Sequence, residues 1–119
     1  MLRIYTLANC DTCRRATKWL RAHKLVFEER AIRETPPSLP ELRAGLAAEA
    51  GQIRKLFNTA GRDYRERNLA ETLPTLSEAD ALRLLNGNGN LVKRPFLVSD
   101  KVALVGFDEV TWRARLLAK

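Results

Sequence analysis

The change of period across residues 2–32 constrains this chain more than any other feature. Leu2-Arg3-Ile4-Tyr5-Thr6-Leu7 alternates and is rich in β-formers, the pattern of a strand. Residues 9–11 follow with short side chains able to cap a helix. From about Arg14 the pattern turns helical, with Cys13, Ala16, Thr17, Leu20 and Lys24 recurring at spacings of three and four. Residues Leu25 to Ile32 return to an extended pattern. Strand, helix and strand make a βαβ unit, which favours parallel pairing and a right-handed crossover.

Pro36 and Pro37 close that unit. Ser38-Leu39-Pro40-Glu41 is a capping-box pattern, and proline is tolerated in a first helical turn. Leu39, Leu42 and Leu46 share one helical face, Gly51 interrupts, and Ile53, Leu56 and Phe57 carry a short further pattern. Residues 58–61 read as a turn, Tyr64 to Leu69 as a short helix ending before Pro74, and Ser77 as the cap of a piece containing Ala81, Leu82 and Leu85. No strand is expected between residues 38 and 86. Asn86-Gly87-Asn88-Gly89-Asn90 is a breaker cluster. It reads as a plain turn, because the Lys-Ser/Thr pair that follows a phosphate-cradling glycine loop is missing. Phe96-Leu97-Val98 and Val102-Ala103-Leu104-Val105 bracket Ser99-Asp100-Lys101 as a hairpin. Asp108 caps the last helix, with Phe107 and Trp112 spaced as a hydrophobic staple.

The order β-α-β, helical block, β-β-α predicts one α/β domain over residues 1–119 with a thioredoxin-like fold. A mixed β-sheet flanked by helices is expected. Its halves span about 1–33 and 91–119, and the helical insertion spans about 38–86.

The only two cysteines, Cys10 and Cys13, fall at the strand-to-helix turn. The first residues lack the apolar segment of a signal peptide, so a cytoplasmic location is expected. In that compartment a Cys-x-x-Cys pair is redox-active or metal-binding rather than a structural staple. His23 is the one histidine, which leaves too few soft ligands for zinc, and no metal site is expected. At a helix N-terminus unpaired N–H groups and the helix dipole favour thiolate. Cys10 is then the nucleophile and Cys13 the resolving thiol that closes a disulfide. Arg14 and Arg15 would support that charge, and Asp11 would oppose it.

A net charge of +7 attracts anions such as oxyanions, glutathione or an acidic partner surface. The basic residues are dispersed, so direct sequence-specific nucleic-acid binding is not expected. No apolar run approaches the roughly 18 residues that span a bilayer, so no membrane partner is expected either. Lys93-Arg94-Pro95 opens the strand expected beside the first one. There Arg94 offers a planar cation that can hold an oxyanion or stabilise a thiolate.

Tyr5-Thr6, Asn9-Cys10-Asp11-Thr12-Cys13, the segment Asn58 to Tyr64, Leu91 to Phe96 and Val105-Gly106-Phe107 together resemble the arsenate reductase (ArsC)/Spx family over nearly the full length. The resemblance implies a thioredoxin-like fold with a helical insertion, and a cis Pro95 facing the cysteine turn. It implies catalytic roles for Cys10, Cys13 and Arg94, and a substrate position lined by Asn9, Thr12, Arg94 and Pro95. In arsenate reductases of this type the cysteine matching Cys10 attacks arsenate, and glutathione with glutaredoxin completes the reduction. Those enzymes carry a histidine shortly before the nucleophile, where this chain has Leu7, Ala8 and Asn9. They usually have serine where Cys13 stands. Of their three oxyanion-holding arginines Arg94 matches one, and the others fall at Asn58 and Gly106, with Arg62 nearby. The Cys-x-x-Cys turn is closer to Spx-type regulators, which sense disulfide stress and bind the C-terminal domain of the RNA polymerase α subunit.

The leading expectation is a thiol–disulfide oxidoreductase that needs no bound cofactor. It would use glutathione as co-substrate, or a glutaredoxin- or thioredoxin-type donor. An Spx-type regulator that binds the RNA polymerase α subunit is the alternative, and a glutaredoxin-linked arsenate reductase comes third.

Overall fold

A computed structural model describes residues 1–117. Four strands, β1 (Leu2–Thr6), β2 (Phe27–Ala31), β3 (Phe96–Val98) and β4 (Ala103–Val105), form one sheet in the order β2-β1-β3-β4. β1 pairs parallel with β2, from Leu2 opposite Phe27 to Thr6 opposite Ala31. The pairs β1–β3 and β3–β4 are antiparallel, so the sheet is mixed as expected.

Alternation along the strands divides the core in two, because successive side chains point to opposite faces. Ile4, Leu97 and Leu104 face α1 (Asp11–Ala22) and α6 (Glu109–Leu116), where they meet Ala16, Trp19, Leu20 and Trp112. Tyr5, Phe96, Val98 and Ala103 face the insertion, where α2 (Leu39–Ala48) and α5 (Glu78–Gly87) supply Leu42, Leu46, Leu82 and Leu85. α2 lies so close to the sheet that a methyl group on Gly45 would come within 2.8 Å of the Phe96 ring. Helices therefore cover both faces, and the middle of the chain serves as the second layer.

Most of the local expectations hold. Ser38 and Glu41 form the capping box, and the Glu41 carboxylate continues inward to accept from Tyr5 Oη at 2.6 Å and Arg3 Nη1 at 2.9 Å. Ser77 and Asp108 cap α5 and α6, and the Phe107 and Trp112 rings meet edge-on at 4.9 Å. In the β3–β4 hairpin the Ser99 hydroxyl accepts from the N–H groups of Lys101 and Val102.

Three of the local expectations need correction. α1 begins at Asp11 rather than near Arg14. β2 covers only Phe27–Ala31, because Lys24, at φ 58°, turns the chain just after the helix. The short helix placed at 64–69 is two helices, α3 (Arg62–Glu66) and α4 (Leu69–Thr72), separated by Asn68 at φ 54°. Pro74 lies inside a 3₁₀ turn that follows them, where its missing N–H costs little. The insertion also makes one sheet-like contact, an antiparallel bridge between Phe57 and Val92, flanked by Asn58 N to Leu91 O at 2.7 Å and Lys93 N to Leu56 O at 2.8 Å. This bridge ties the insertion to the segment that leads into Arg94. Ala118 and Lys119, included in the expected C-terminal half, lie outside the described residues.

Candidate active site at the cysteine turn

The parallel β1–β2 pair fixes where β1 ends, and the chain must then climb over the sheet edge into α1. Asn9, at φ 63°, makes that turn in the left-handed region, which asparagine tolerates better than most residues. The turn places Cys10 itself at the N-cap. Its backbone is extended (φ −106°, ψ 112°), and its Sγ accepts the Cys13 N–H at 3.2 Å. The sulfur thus stands where a serine or aspartate oxygen usually stands, against an orphan N–H at the positive end of the helix dipole.

The two thiols have different surroundings. Cys10 is half-buried, whereas Cys13 is 3% exposed. Burial pushes the Cys13 thiol up to about 12; hydrogen bonding to Cys10 adds to this, and the Leu7 N–H opposes it. Cys13 also borders a cleft of about 430 Å³ together with Asn9, Arg14, Thr17 and Glu29.

Arg94 reaches the site from the segment just before β3, the strand that pairs antiparallel with β1. The Arg94–Pro95 peptide is cis, Pro95 is buried, and Arg94 is half-buried with Nη1 donating to the Val92 carbonyl at 3.3 Å. Burial lowers the Arg94 pKa, while the charges of Cys10, Cys13 and Asp63 raise it and that of Arg33 lowers it. An arginine nevertheless keeps its proton. One permanent cation therefore lies close enough to act on both sulfurs.

The remaining candidates separate clearly. Thr12 is half-buried in the first turn, and Asn9 borders the cleft. Arg14 is paired with Asp11, which offsets the negative charge expected to oppose a thiolate; Arg15 is exposed. Arg62 is 79% exposed on the α3 surface and pairs with Glu66 at 3.4 Å, so no contact carries it to the cysteines. His23 caps the far end of α1, about 18 Å along the axis from the cysteine turn, and packs at a tilt against Trp19 with ring centroids 4.3 Å apart. Among the described residues no group of three His, Cys, Asp or Glu side chains could hold a metal, and no helix is long and apolar enough to cross a membrane. The Gly106 position is partly covered by Lys93, whose Cε would lie 3.0 Å from a Cβ there.

Sequence reasoning missed Arg33, Asp63, Asn88 and Asn90. They form one hydrogen-bonded cluster whose charged members act on Arg94. The alternation of asparagines at 86, 88 and 90 was the available signal. A run of side chains able both to donate and to accept can do more than reverse the chain.

The ArsC family model matches residues 5–115. The chain belongs to the ArsC family. It is 43% identical over 108 residues to the uncharacterized protein YusI of Bacillus subtilis (strain 168), covering 91% of this chain and 92% of that protein. It is 33% identical over 109 residues to the global transcriptional regulator Spx of Enterococcus faecalis (strain ATCC 700802 / V583), covering 92% of this chain and 81% of the regulator. An ArsC-family-related protein of Bacteroides fragilis superposes with a TM-score of 0.87 at 36% identity, covering 94% of each chain. The ArsC family and thioredoxin-like fold expected from the motifs are therefore established, and the cysteine pair belongs to a family that includes both enzymes and regulators.

Proposed function

We propose that this chain is a thiol–disulfide oxidoreductase in which Cys10 is the nucleophile, Cys13 the resolving thiol and Arg94 the stabilising cation. The observation that carries this reading is the Cys10 sulfur at the N-cap of α1, accepting the N–H of a buried Cys13. In the first step the Cys10 thiolate attacks a disulfide R–S–S–R. A Cys10–S–S–R bond forms, the substrate bond breaks, and RS⁻ leaves to take up a proton. In the second step the Cys13 thiol loses its proton and attacks Cys10 Sγ, forming the Cys10–Cys13 disulfide and releasing the second thiol. The dithiol is oxidised by two electrons, and the substrate disulfide is reduced by two.

The Cys13 environment orders these steps. Its thiol is held protonated first by burial and then by Cys10. Once Cys10 is in the mixed disulfide its negative charge is gone, so part of the restraint on Cys13 is lifted after the first attack. Arg94 balances the thiolate before attack and can hold a carboxylate of an incoming thiol compound such as glutathione. Asn9 and Thr12 would complete the rim that the substrate meets, and the buried Pro95 would fix the course of the chain at Arg94. A glutaredoxin- or thioredoxin-type protein, or glutathione itself, would restore the dithiol.

Trapping tests this reading. Reduced Cys13→Ser should accumulate one mixed disulfide on Cys10 with oxidised glutathione, visible as a single mass increment, and Cys10→Ser should accumulate none. Arg94→Gln should slow adduct formation by about tenfold, a loss of ~1.4 kcal/mol in the transition state. A Cys13→Ser protein that forms no adduct would refute the proposed role of Cys10.

The 33% identity to Spx supports a second reading, in which the same cysteine pair switches contact with the RNA polymerase α subunit. Capture on the α C-terminal domain, compared between the dithiol and the disulfide, separates the two. Equal absence of binding in both states removes the regulator. Arsenate reduction has weaker support, because Asn58 and Gly106 replace two expected cations and Arg62 is engaged with Glu66.

A further inference from the structure

The Asn86–Asn90 loop does more than reverse the chain. Asn88 Nδ2 donates to Asp63 Oδ2 at 2.9 Å, and Asn90 Nδ2 donates to the same oxygen at 3.4 Å. The Oδ1 of Asn90 accepts from Arg33 Nε at 2.5 Å. Gly89 sits so close to the end of β2 that a methyl group there would overlap the Ile32 carbonyl. These contacts fasten Arg33, just beyond β2, to the segment that carries Val92, whose carbonyl accepts from Arg94. Two guanidiniums are thereby anchored to one scaffold.

Both cations remain available to a ligand. Neither Arg33 nor Arg94 forms an ion pair among the described residues. The Asp63 carboxylate, whose charge reaches Arg94, is taken up by two neutral amides. A guanidinium presents five N–H donors in a planar fork. Arg33 uses Nε on Asn90, and Arg94 uses Nη1 on Val92, which leaves donors on each for a carboxylate.

We propose that Arg33, held by Asn90 on the scaffold that also carries Arg94, is a second anion-binding cation of the cysteine site and selects small disulfides bearing a carboxylate near the reacting sulfur. This rests on the reading of Cys10 as the attacking thiol. Arg33 takes no part in bond making. It raises the encounter rate and orients the anionic arm while Cys10 attacks the sulfur.

The test reads charge selection in two ways, one of them independent of disulfide exchange. The first is the rate of Cys10 alkylation by iodoacetate, an anion, divided by that by neutral iodoacetamide, at low ionic strength. The second is the rate with oxidised glutathione divided by that with neutral hydroxyethyl disulfide. Arg33→Gln should lower both ratios about threefold or more, with the difference shrinking in high salt. Arg33→Lys should restore most of the alkylation ratio. Arg115→Gln, which removes the same charge from exposed α6, should leave both unchanged. Unaltered ratios in Arg33→Gln, or an equal fall in Arg115→Gln, overturn the assignment. A fall in the alkylation ratio with no reaction toward either disulfide keeps the anion subsite and sinks the exchange reaction. Disulfide reaction with an unchanged alkylation ratio does the reverse.

Discussion

Replacing Cys10 by serine leaves Cys13 as the sole thiol of the chain and isolates the consequence of its burial. The Cys13 side chain is 3% exposed, and burial, followed by the hydrogen bond to Cys10, moves its pKa from 9.0 to about 12. Near pH 8 an ordinary thiol is thiolate in about one molecule in ten, whereas a thiol titrating near 12 is so in roughly one in ten thousand. Ionisation alone therefore separates folded from unfolded reactivity by ~10³, before steric access is considered. The serine substitution removes the Cys10 contribution and returns part of that factor, but burial, the larger cause, stays. Native Cys10→Ser should alkylate with iodoacetamide at least ~100-fold more slowly than the same protein in concentrated urea. Mass spectrometry of timed, acid-quenched samples gives both rates. A native rate within about tenfold of the unfolded one would refute the account of Cys13 as a buried, protonated thiol. In the reduced wild-type protein the first label should fall on Cys10, and the second should appear only as the fold opens.

The same raised pKa predicts alkaline sensitivity of the reduced protein. The folded value lies above the unfolded one, so the contribution is fully present below pH 9.0 and is lost as pH rises toward about 12; urea midpoints measured across that window should fall more for wild type than for Cys13→Ala. Glu41→Ala should cost roughly 2–4 kcal/mol in urea unfolding, because it empties half of a capping box and leaves the Tyr5 hydroxyl without its partner. Burial opposes ionisation of Glu41, but hydrogen bonds from Tyr5, Ser38 and Arg3 outweigh it and hold the carboxyl below its usual range. Its contribution is therefore present above the ordinary carboxylate range and lost on acidification, and Glu41→Ala should show a flatter acid limb. Gly89→Ala should destabilise by about 2 kcal/mol or more and lower the iodoacetate preference of Cys10, since the new methyl meets the Ile32 carbonyl backbone; an unchanged urea midpoint contradicts that contact.

Much of the fold was legible because its signals are local. Alternation in residues 2–7, the short apolar run 96–98, the spacing of Ala16, Thr17 and Leu20, and the Ser38–Glu41 box each depend on neighbours within a few positions. The break at Asn68 and the Phe57–Val92 bridge were not legible. A single asparagine at φ 54° leaves no periodic signature, and the bridge follows from docking against a distant segment, which local propensity does not record. At the site, the cysteine pair and Arg94-Pro95 were visible as motifs. The identity of the helix cap was not, because cysteine has no strong capping preference and its role here follows from the turn at Asn9. Arg33 and Asp63 were invisible as partners, since Arg33 and Asn90 are 57 residues apart.

By itself the sequence determined the order of elements, the placement of both thiols at a strand-to-helix turn, and the family. Those properties reside in periodicity and in short motifs of defined spacing. The tertiary structure decided which thiol is buried, which cation lies within reach of both sulfurs, and which apparent candidates are spent elsewhere. Arg62 illustrates the limit: it is close to a family position in sequence, yet its side chain lies on the surface against Glu66. Arg33 illustrates the converse, an ordinary arginine in the sequence that a strand end and an asparagine loop bring into the field of Arg94. The physical reason is the same in both cases. Electrostatics and desolvation depend on distance and on the medium between groups, and the sheet and the insertion set both.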